Sequence, residues 1–271
     1  MRLSIRHTTR YRFSEPVVHA LQRLRLTPKE TQGQRILNWD MAYTNARAEL
    51  EYEDQHHNTV TLLSIEGGAQ EVAIECQGEV DTEDHQGVIG RHSGHLPLWS
   101  FMGQTRLTRP GDGIQTLIED LRSSELSGVD LLHALSAKVL EAVEYRIGTT
   151  HVQTPAEEAF GQGGGVCQDH AHIFIGAARA LDVPARYVSG YLMMNDRVEQ
   201  DATHAWAEAH VDGLGWVGFD ISNGISPDPR YVRVATGRDY RDAAPITGIS
   251  FGTATEALEV DVAVEQQHVQ Q

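Results

Sequence analysis

Cys167 stands in GGGVCQDHAH, between three glycines and a run in which Ala171, Phe174, Ile175, Ala178 and Leu181 recur at helical spacing. The spacing predicts a helix from near Cys167 to Leu181, with the cysteine on its buried stripe in the first turn. A thiol there feels the positive end of the helix dipole, which favours the thiolate relative to a free thiol of pKa about 8.5. The leading N–H groups of such a helix have no partner within it and can hold an oxyanion. The glycines free the backbone for a close approach, and Asp169 is expected to satisfy N–H groups at the helix start rather than to react.

A thiol nucleophile needs a base, and the base needs a group to orient it. THAWAEAHVDGLGWVGFD offers both on one expected hairpin, His204 on the first strand and Asp220 on the second. If Asp212, Gly213 and Leu214 form a three-residue loop, Val211 opposes Gly215 and, in unbroken register, Trp206 opposes Asp220. His204 then shares a face with Asp220 at a diagonal of roughly 7 Å, within side-chain reach. A two- or four-residue loop would put the two on opposite faces. Ala205, Ala207 and Ala209, on the other face, leave room for a closely packed layer. Trp206 either shields the pair from water or simply packs.

Other readings of these residues stay open. A buried cysteine and a strand histidine are often structural. Cys167, His170 and His172 spell C-x-x-H-x-H, to which His204 or His210 could add a further zinc ligand, although 167 and 170 share a helix face that 172 does not. Gln162 is a candidate second oxyanion donor or an exposed loop residue. A chain with the same fold could also bind a partner without turning it over.

The elements that must position this chemistry fall into two patterns. From residue 1 to about 80 the period is two, in Leu3-Ile5, Tyr11-Phe13, Leu24-Leu26, Leu37-Trp39-Met41-Tyr43, Leu50-Tyr52 and Val72-Ile74-Cys76, which predicts an antiparallel sandwich or barrel with Cys76 in its core. Residues 81 to 112 lack periodicity and read as a linker whose His85, His92 and His95 are solvated rather than metal-bound. Ile114-Leu117-Ile118-Leu121 and Leu131-Leu132-Leu135-Val139-Val143 then predict two amphipathic helices. Strands are expected at Arg186–Met193, Thr203–Val211 and Trp216–Ile221, and a last one through Leu258-Val260-Val262-Val264. The fold class is therefore α+β, with a β-rich unit over 1–105, a catalytic unit over 106–250 and a C-terminal strand and tail over 251–271.

At 271 residues the length suits two modest domains. With 22 Lys+Arg against 38 Asp+Glu the net charge is −16, which argues against nucleic acid and anionic membrane surfaces as partners and leans towards cationic or neutral substrates. Two cysteines are too few for a disulfide framework. No apolar run reaches the roughly 18–20 residues of a membrane span, and MRLSIRHTTRYRF lacks a signal-peptide core, so a soluble cytoplasmic protein is expected.

From roughly residue 155 to 250 the sequence resembles the transglutaminase-like superfamily, a papain-like group of thiol enzymes. The matching segments are GGGVCQDHAHIFIGAARALDVPARYVSGYL, THAWAEAHVDGLGWVGFD and TGRDYRDAAPITGISFG. The last is typical of bacterial two-domain members, whose β-rich first domain resembles residues 1 to about 100, best at PVVHALQRLRLTP. QHHN stands where relatives usually have an aromatic-Gly-Asn turn, and Ile-Ser-Asn follows Asp220 in place of Pro-Thr-Asn. The resemblance implies a papain-like core of helices packed on an antiparallel sheet, with Cys167 as nucleophile, His204 as base and Asp220 as orienting residue. It implies acyl transfer from a carboxamide or peptide bond of a protein or peptide substrate, through a thioester and without metal or cofactor. Hydrolysis is the expected outcome over transfer to an amine.

Overall fold

In the computed structural model, which describes residues 1–200, 202–251 and 255–267, the period-two region forms β1 (Arg2–Phe13), β2 (His19–Leu24), β3 (Gln34–Thr44), β4 (Ala46–Glu53), β5 (Thr59–Ile65) and β6 (Glu71–Thr82). β5 escapes the sequence reading because its Val60, Leu62, Leu63 and Ile65 do not alternate cleanly. The linker is partly regular: it supplies β7 (Val88–Gly90) and a 3-10 turn at Leu98–Phe101. Next come α1 (Asp112–Arg122), α2 (Gly128–Ala142), β8 (Glu144–Tyr145), the short α3 (Ala156–Gln162), β9 (Gly164–Gly165) and α4 (Cys167–Ala180). The remainder is β10 (Ala185–Leu192), β11 (Glu199–Gln200), β12 (His204–Val211), β13 (Gly215–Phe219), β14 (Tyr231–Gly237), α5 (Tyr240–Ala243), β15 (Ile246–Phe251) and β16 (Glu256–Gln266).

These strands make three antiparallel sheets, in the orders β11-β16-β1-β6-β3, β15-β2-β5-β4 and β14-β10-β12-β13-β7. β8 and β9 add a two-residue parallel pair. The fold is α+β, a β-sandwich joined to a helix-backed sheet. Residue 250, where the sequence reading ends the catalytic unit, falls inside β15, which pairs with β2, while β16 pairs with β1 along its length. The linker strand β7 pairs with β13 instead.

β1 links two cores. Its inward residues Tyr11 and Phe13 pack with Leu24, Leu63 and Ile74 inside the sandwich, with Cys76 among them. Leu3 and Ile5 pack with Tyr191, Val232 and Val234 of the helix-backed sheet. Between the two, buried His7 bonds the Tyr191 hydroxyl at 2.9 Å and Thr9 at 3.0 Å, and burial lowers its pKa to about 4, so it is a neutral satisfied core histidine. The opposite face of the catalytic sheet carries α1, α2 and α4, whose Ile118, Leu135 and Phe174 pack with Ala205, Ala207 and Ala209. The small odd-numbered face of β12 thus receives the helix layer.

A polar junction fastens the β4–β5 turn to β14. Asn58 Nδ2 donates to the Thr236 carbonyl at 2.8 Å and Asn58 Oδ1 accepts from Thr236 N–H at 2.8 Å. The Lys29 ammonium donates to the carbonyls of His56 at 3.0 Å and His57 at 2.5 Å and to Asn58 Oδ1 at 2.9 Å. Three divergent acceptors around one point suit a compact ammonium. Burial, then the charges of Arg233 and Arg186, lower the Lys29 pKa to about 7. His57 takes φ +57, the left-handed region that favours glycine. No described helix is long and apolar enough to cross a membrane.

Candidate active site

The glycines before Cys167 have separate tasks. Gly163 ends α3 at φ +61. Gly165 makes room for Asp169, since a Cβ there would stand 2.7 Å from Asp169 Oδ2. That oxygen accepts from Val166 N–H at 2.8 Å and the Thr150 hydroxyl at 2.6 Å, while Asp169 N–H donates to the Val166 carbonyl at 2.9 Å. Asp169 therefore caps α4, as its position suggests. Cys167 opens the helix, half-buried and unoxidised. Gly176 lets the connector cross α4: a Cβ there would lie 1.9 Å from the Thr108 carbonyl oxygen. Arg179, buried, donates to the carbonyls of Phe101, Gly103, Ala185 and Arg238 and holds the helix against that crossing.

The hairpin has the three-residue loop. Val211 opposes Gly215, and the register runs unbroken through Glu208↔Gly218 to Ala207↔Phe219. His204 and Asp220 consequently meet, with His204 Nε2 2.6 Å from Asp220 Oδ2. The same oxygen accepts from the Tyr231 hydroxyl at 2.6 Å and from Asn223 Nδ2 at 2.7 Å, and Oδ1 accepts from Asn223 N–H at 3.3 Å. Asp220 is fully buried. Burial pushes its carboxyl up, but the bonds from His204, Tyr231 and Asn223 outweigh this and hold it below the usual carboxylate range.

Because Nε2 faces Asp220, Nδ1 is the nitrogen left for the sulfur. Burial opposes charging the His204 ring, yet the negative charge of Cys167 and the hydrogen bonds to Asp220 and Cys167 lift its pKa to about 10. His204 and Asp220 are thus joined directly, and Cys167 lines the same cleft as His204. Trp206 packs against both neighbouring rings. It stacks beside His204 at 6.2 Å and packs edge-on to Tyr231 at 5.4 Å. Gly190 gives it room, since a Cβ there would lie 2.7 Å from the indole.

The structure decides between the open alternatives for two sets of neighbouring residues. Gln162 lies on α3, exposed, with its amide donating to Glu158 at 3.3 Å, so it does not face the sulfur. The C-x-x-H-x-H zinc set does not assemble, because its histidines are engaged elsewhere. His170 bonds the Ser222 hydroxyl at 2.8 Å and the Val143 carbonyl at 2.9 Å, His172 Nε2 accepts from Tyr240 N–H at 3.1 Å in the core, and His210 packs edge-on to Trp216.

Three supporting residues were missed. Tyr231 reaches Asp220 from the start of β14, at the far edge of the same sheet, and carries no local signal. Asn223 and Ser222 lie in the noted Ile-Ser-Asn turn, whose polar residues two and three places after the aspartate were a usable clue. The β8–β9 pairing sets Tyr145 opposite Gly165. A cleft of about 690 Å³ lies over Cys167 and His204, walled by Tyr145, Ile147, Tyr187, Leu192 and Met194. Among the described residues its lining includes no carboxylate, and its one fixed cation is Arg197. The acidity of the chain as a whole is not expressed here.

Residues 115–221 match the family model of the transglutaminase-like superfamily, and residues 3–81 that of the bacterial transglutaminase-like N-terminal region. The chain is 27% identical over 280 residues to an uncharacterized protein of Mycobacterium leprae, covering 97% of this chain and 98% of that one. It is 28% identical over 291 residues to an uncharacterized protein of Mycobacterium tuberculosis, covering 97% and 92%. A crystal structure of a Cytophaga hutchinsonii protein described as a "putative cysteine protease" superposes with a TM-score of 0.78 at 25% identity, over 100% of this chain and 92% of that one. With its core and its N-terminal region both matched, the chain belongs to the transglutaminase-like superfamily, in the bacterial two-domain arrangement.

Proposed function

We propose that this protein is a thiol enzyme that transfers the acyl group of a carboxamide or peptide bond through Cys167, His204 and Asp220, with water as the usual acceptor. The observation that carries this reading is the buried pair in the cleft at the mouth of α4. His204 Nε2 lies 2.6 Å from Asp220 Oδ2, its pKa is lifted to about 10, and the ring lines the same cleft as Cys167.

Cys167 Sγ attacks the carbonyl carbon, and the carbonyl electron pair moves onto oxygen. The leading N–H groups of α4 receive that oxyanion. For a second donor the reading takes the hydroxyl of Tyr145, which lines the cleft and whose pKa is raised by burial and then by the charge of Cys167. The imidazolium of His204 gives its proton to the leaving nitrogen, the C–N bond breaks, and a thioester remains. Neutral His204 then takes a proton from water as the oxygen attacks, the C–S bond breaks, and thiolate and imidazolium return. Asp220 stays ionised and keeps the ring oriented throughout.

A primary amine could replace water and give cross-linking. Hydrolysis is favoured because water is the acceptor present in greatest excess. The apolar walls suit a protein or peptide segment with an apolar residue beside the scissile amide. Release of ammonia or peptide fragments from glutamine-containing peptides, with and without a primary amine, should be lost in Cys167→Ala and should not need the amine. Equal turnover by both proteins would refute the enzymatic reading, and equal absence of turnover would favour a binding module.

A further inference from the structure

Away from the catalytic cleft, Glu53 at the end of β4, His57 in the turn to β5 and His95 in the connector come together. One ligand atom from each lies within 4.8 Å of the others. His57 Nδ1 meets Glu53 Oε1 at 2.5 Å, its Nε2 is buried with no partner, and its ring centroid is 4.8 Å from that of His95. Nε2 is open to an ion, and the exposed Glu53 carboxylate must leave Nδ1 to join it there.

The backbone around His57 is fixed independently of the cluster. Asp54 Oδ1 accepts from the N–H groups of His56 at 2.9 Å and Asn58 at 3.0 Å, and Lys29 holds the carbonyls of His56 and His57. His57 is thereby kept at φ +57, which a side chain disfavours, with its ring towards Glu53. Gly94, facing it, leaves the nitrogen room, since a Cβ at that position would stand 3.2 Å from Nε2.

We propose that Glu53, His57 and His95 bind a divalent transition-metal ion of the zinc class. Two imidazoles and a carboxylate, with water in the fourth position, match its ligand preferences. Bonds of about 2.0–2.2 Å place tetrahedral ligand atoms about 3.4 Å apart, so the donors must draw in from spacings of up to 4.8 Å, which rotation of the exposed Glu53 and His95 side chains supplies. The ion would tie the connector to the β4–β5 turn. The connector carries His92, which accepts from Trp216 Nε1 at 3.1 Å, and the turn carries Asn58, bonded to β14. The site is therefore a stabilising cross-link between the sandwich and the catalytic sheet.

The test uses the full chain with Cys167→Ala in every protein, so that no catalytic thiol competes for metal. Thermal unfolding is followed with and without zinc, and zinc uptake is measured against a chromophoric chelator. At zinc near ten times Kd the parent should gain about 2.5 °C in Tm and take up one equivalent. His57→Gly should melt at or above the metal-free parent, because glycine accepts φ +57 without strain, yet show no zinc-dependent rise; His95→Ala should likewise show none. His210→Ala, which alters a histidine outside the cluster, should keep the full rise. No rise in the parent, or an equal rise in His57→Gly, would overturn the proposal.

Discussion

Tyr231→Phe removes a single hydroxyl from the site. Phenylalanine preserves the ring that packs 5.4 Å from Trp206 and 6.1 Å from His204, so the change is confined to the 2.6 Å bond donated to Asp220. Asp220 is fully buried and its Oδ2 keeps His204 and Asn223 as partners. Loss of one hydrogen bond to a buried carboxylate costs about 2 kcal/mol. Burial favours the protonated acid, whereas this bond favours the ionised form, so its removal lets the Asp220 pKa rise. A carboxylate held low in the native state contributes stability that is present above its unfolded value near 3.9 and lost as pH falls through the native value. The deficit of Tyr231→Phe should therefore be full at pH 7 and shrink as pH approaches about 3. Urea unfolding of the parent and the variant across that range measures it. The same variant should lose about tenfold in kcat/KM, because the carboxylate that orients His204 is less firmly fixed. A deficit that is the same at every pH, or below about 0.5 kcal/mol at pH 7, would refute the assignment of this hydroxyl to the charge of Asp220.

The other predictions concern titration, labelling and packing. The Cys167 charge and Asp220 hold the His204 imidazolium to about 10 against the effect of burial, so the alkaline limb of kcat/KM should lie near pH 10 and move down in Asp220→Asn. The matching stability contribution is full below the unfolded value near 6.5 and lost as pH rises through about 10. Burial pushes the Cys76 thiol up to about 12, so peptide mapping after iodoacetamide at pH 7 should find label on Cys167 and none on Cys76. Gly176→Ala sets a Cβ 1.9 Å from the Thr108 carbonyl oxygen, which should cost about 3 kcal/mol and lower Tm by about 5 °C.

Much of the candidate site was legible because its determinants are local. The helix opened by Cys167 follows from apolar spacing, and the meeting of His204 with Asp220 follows from the parity of a three-residue hairpin loop. The alanine face of β12 likewise announces the closely packed helix layer. What stayed hidden depends on non-local pairing. Tyr231 reaches Asp220 from another strand, and Tyr145 is set beside the cysteine loop by a two-residue parallel pair. The return of β15 and β16 to the first two sheets is of the same kind, since a strand's pattern reveals its faces but not its neighbours. α3, at Ala156–Gln162, is too short to display a period.

Acid-quenched mass spectrometry of the protein with a carboxamide peptide library reads directly whether Cys167 carries the acyl group. An adduct of peptide mass less ammonia or amine should map to Cys167 and be absent in Cys167→Ala. Turnover of the same peptides by Cys167→Ala at the parental rate, with no adduct on either protein, would contradict this role of Cys167.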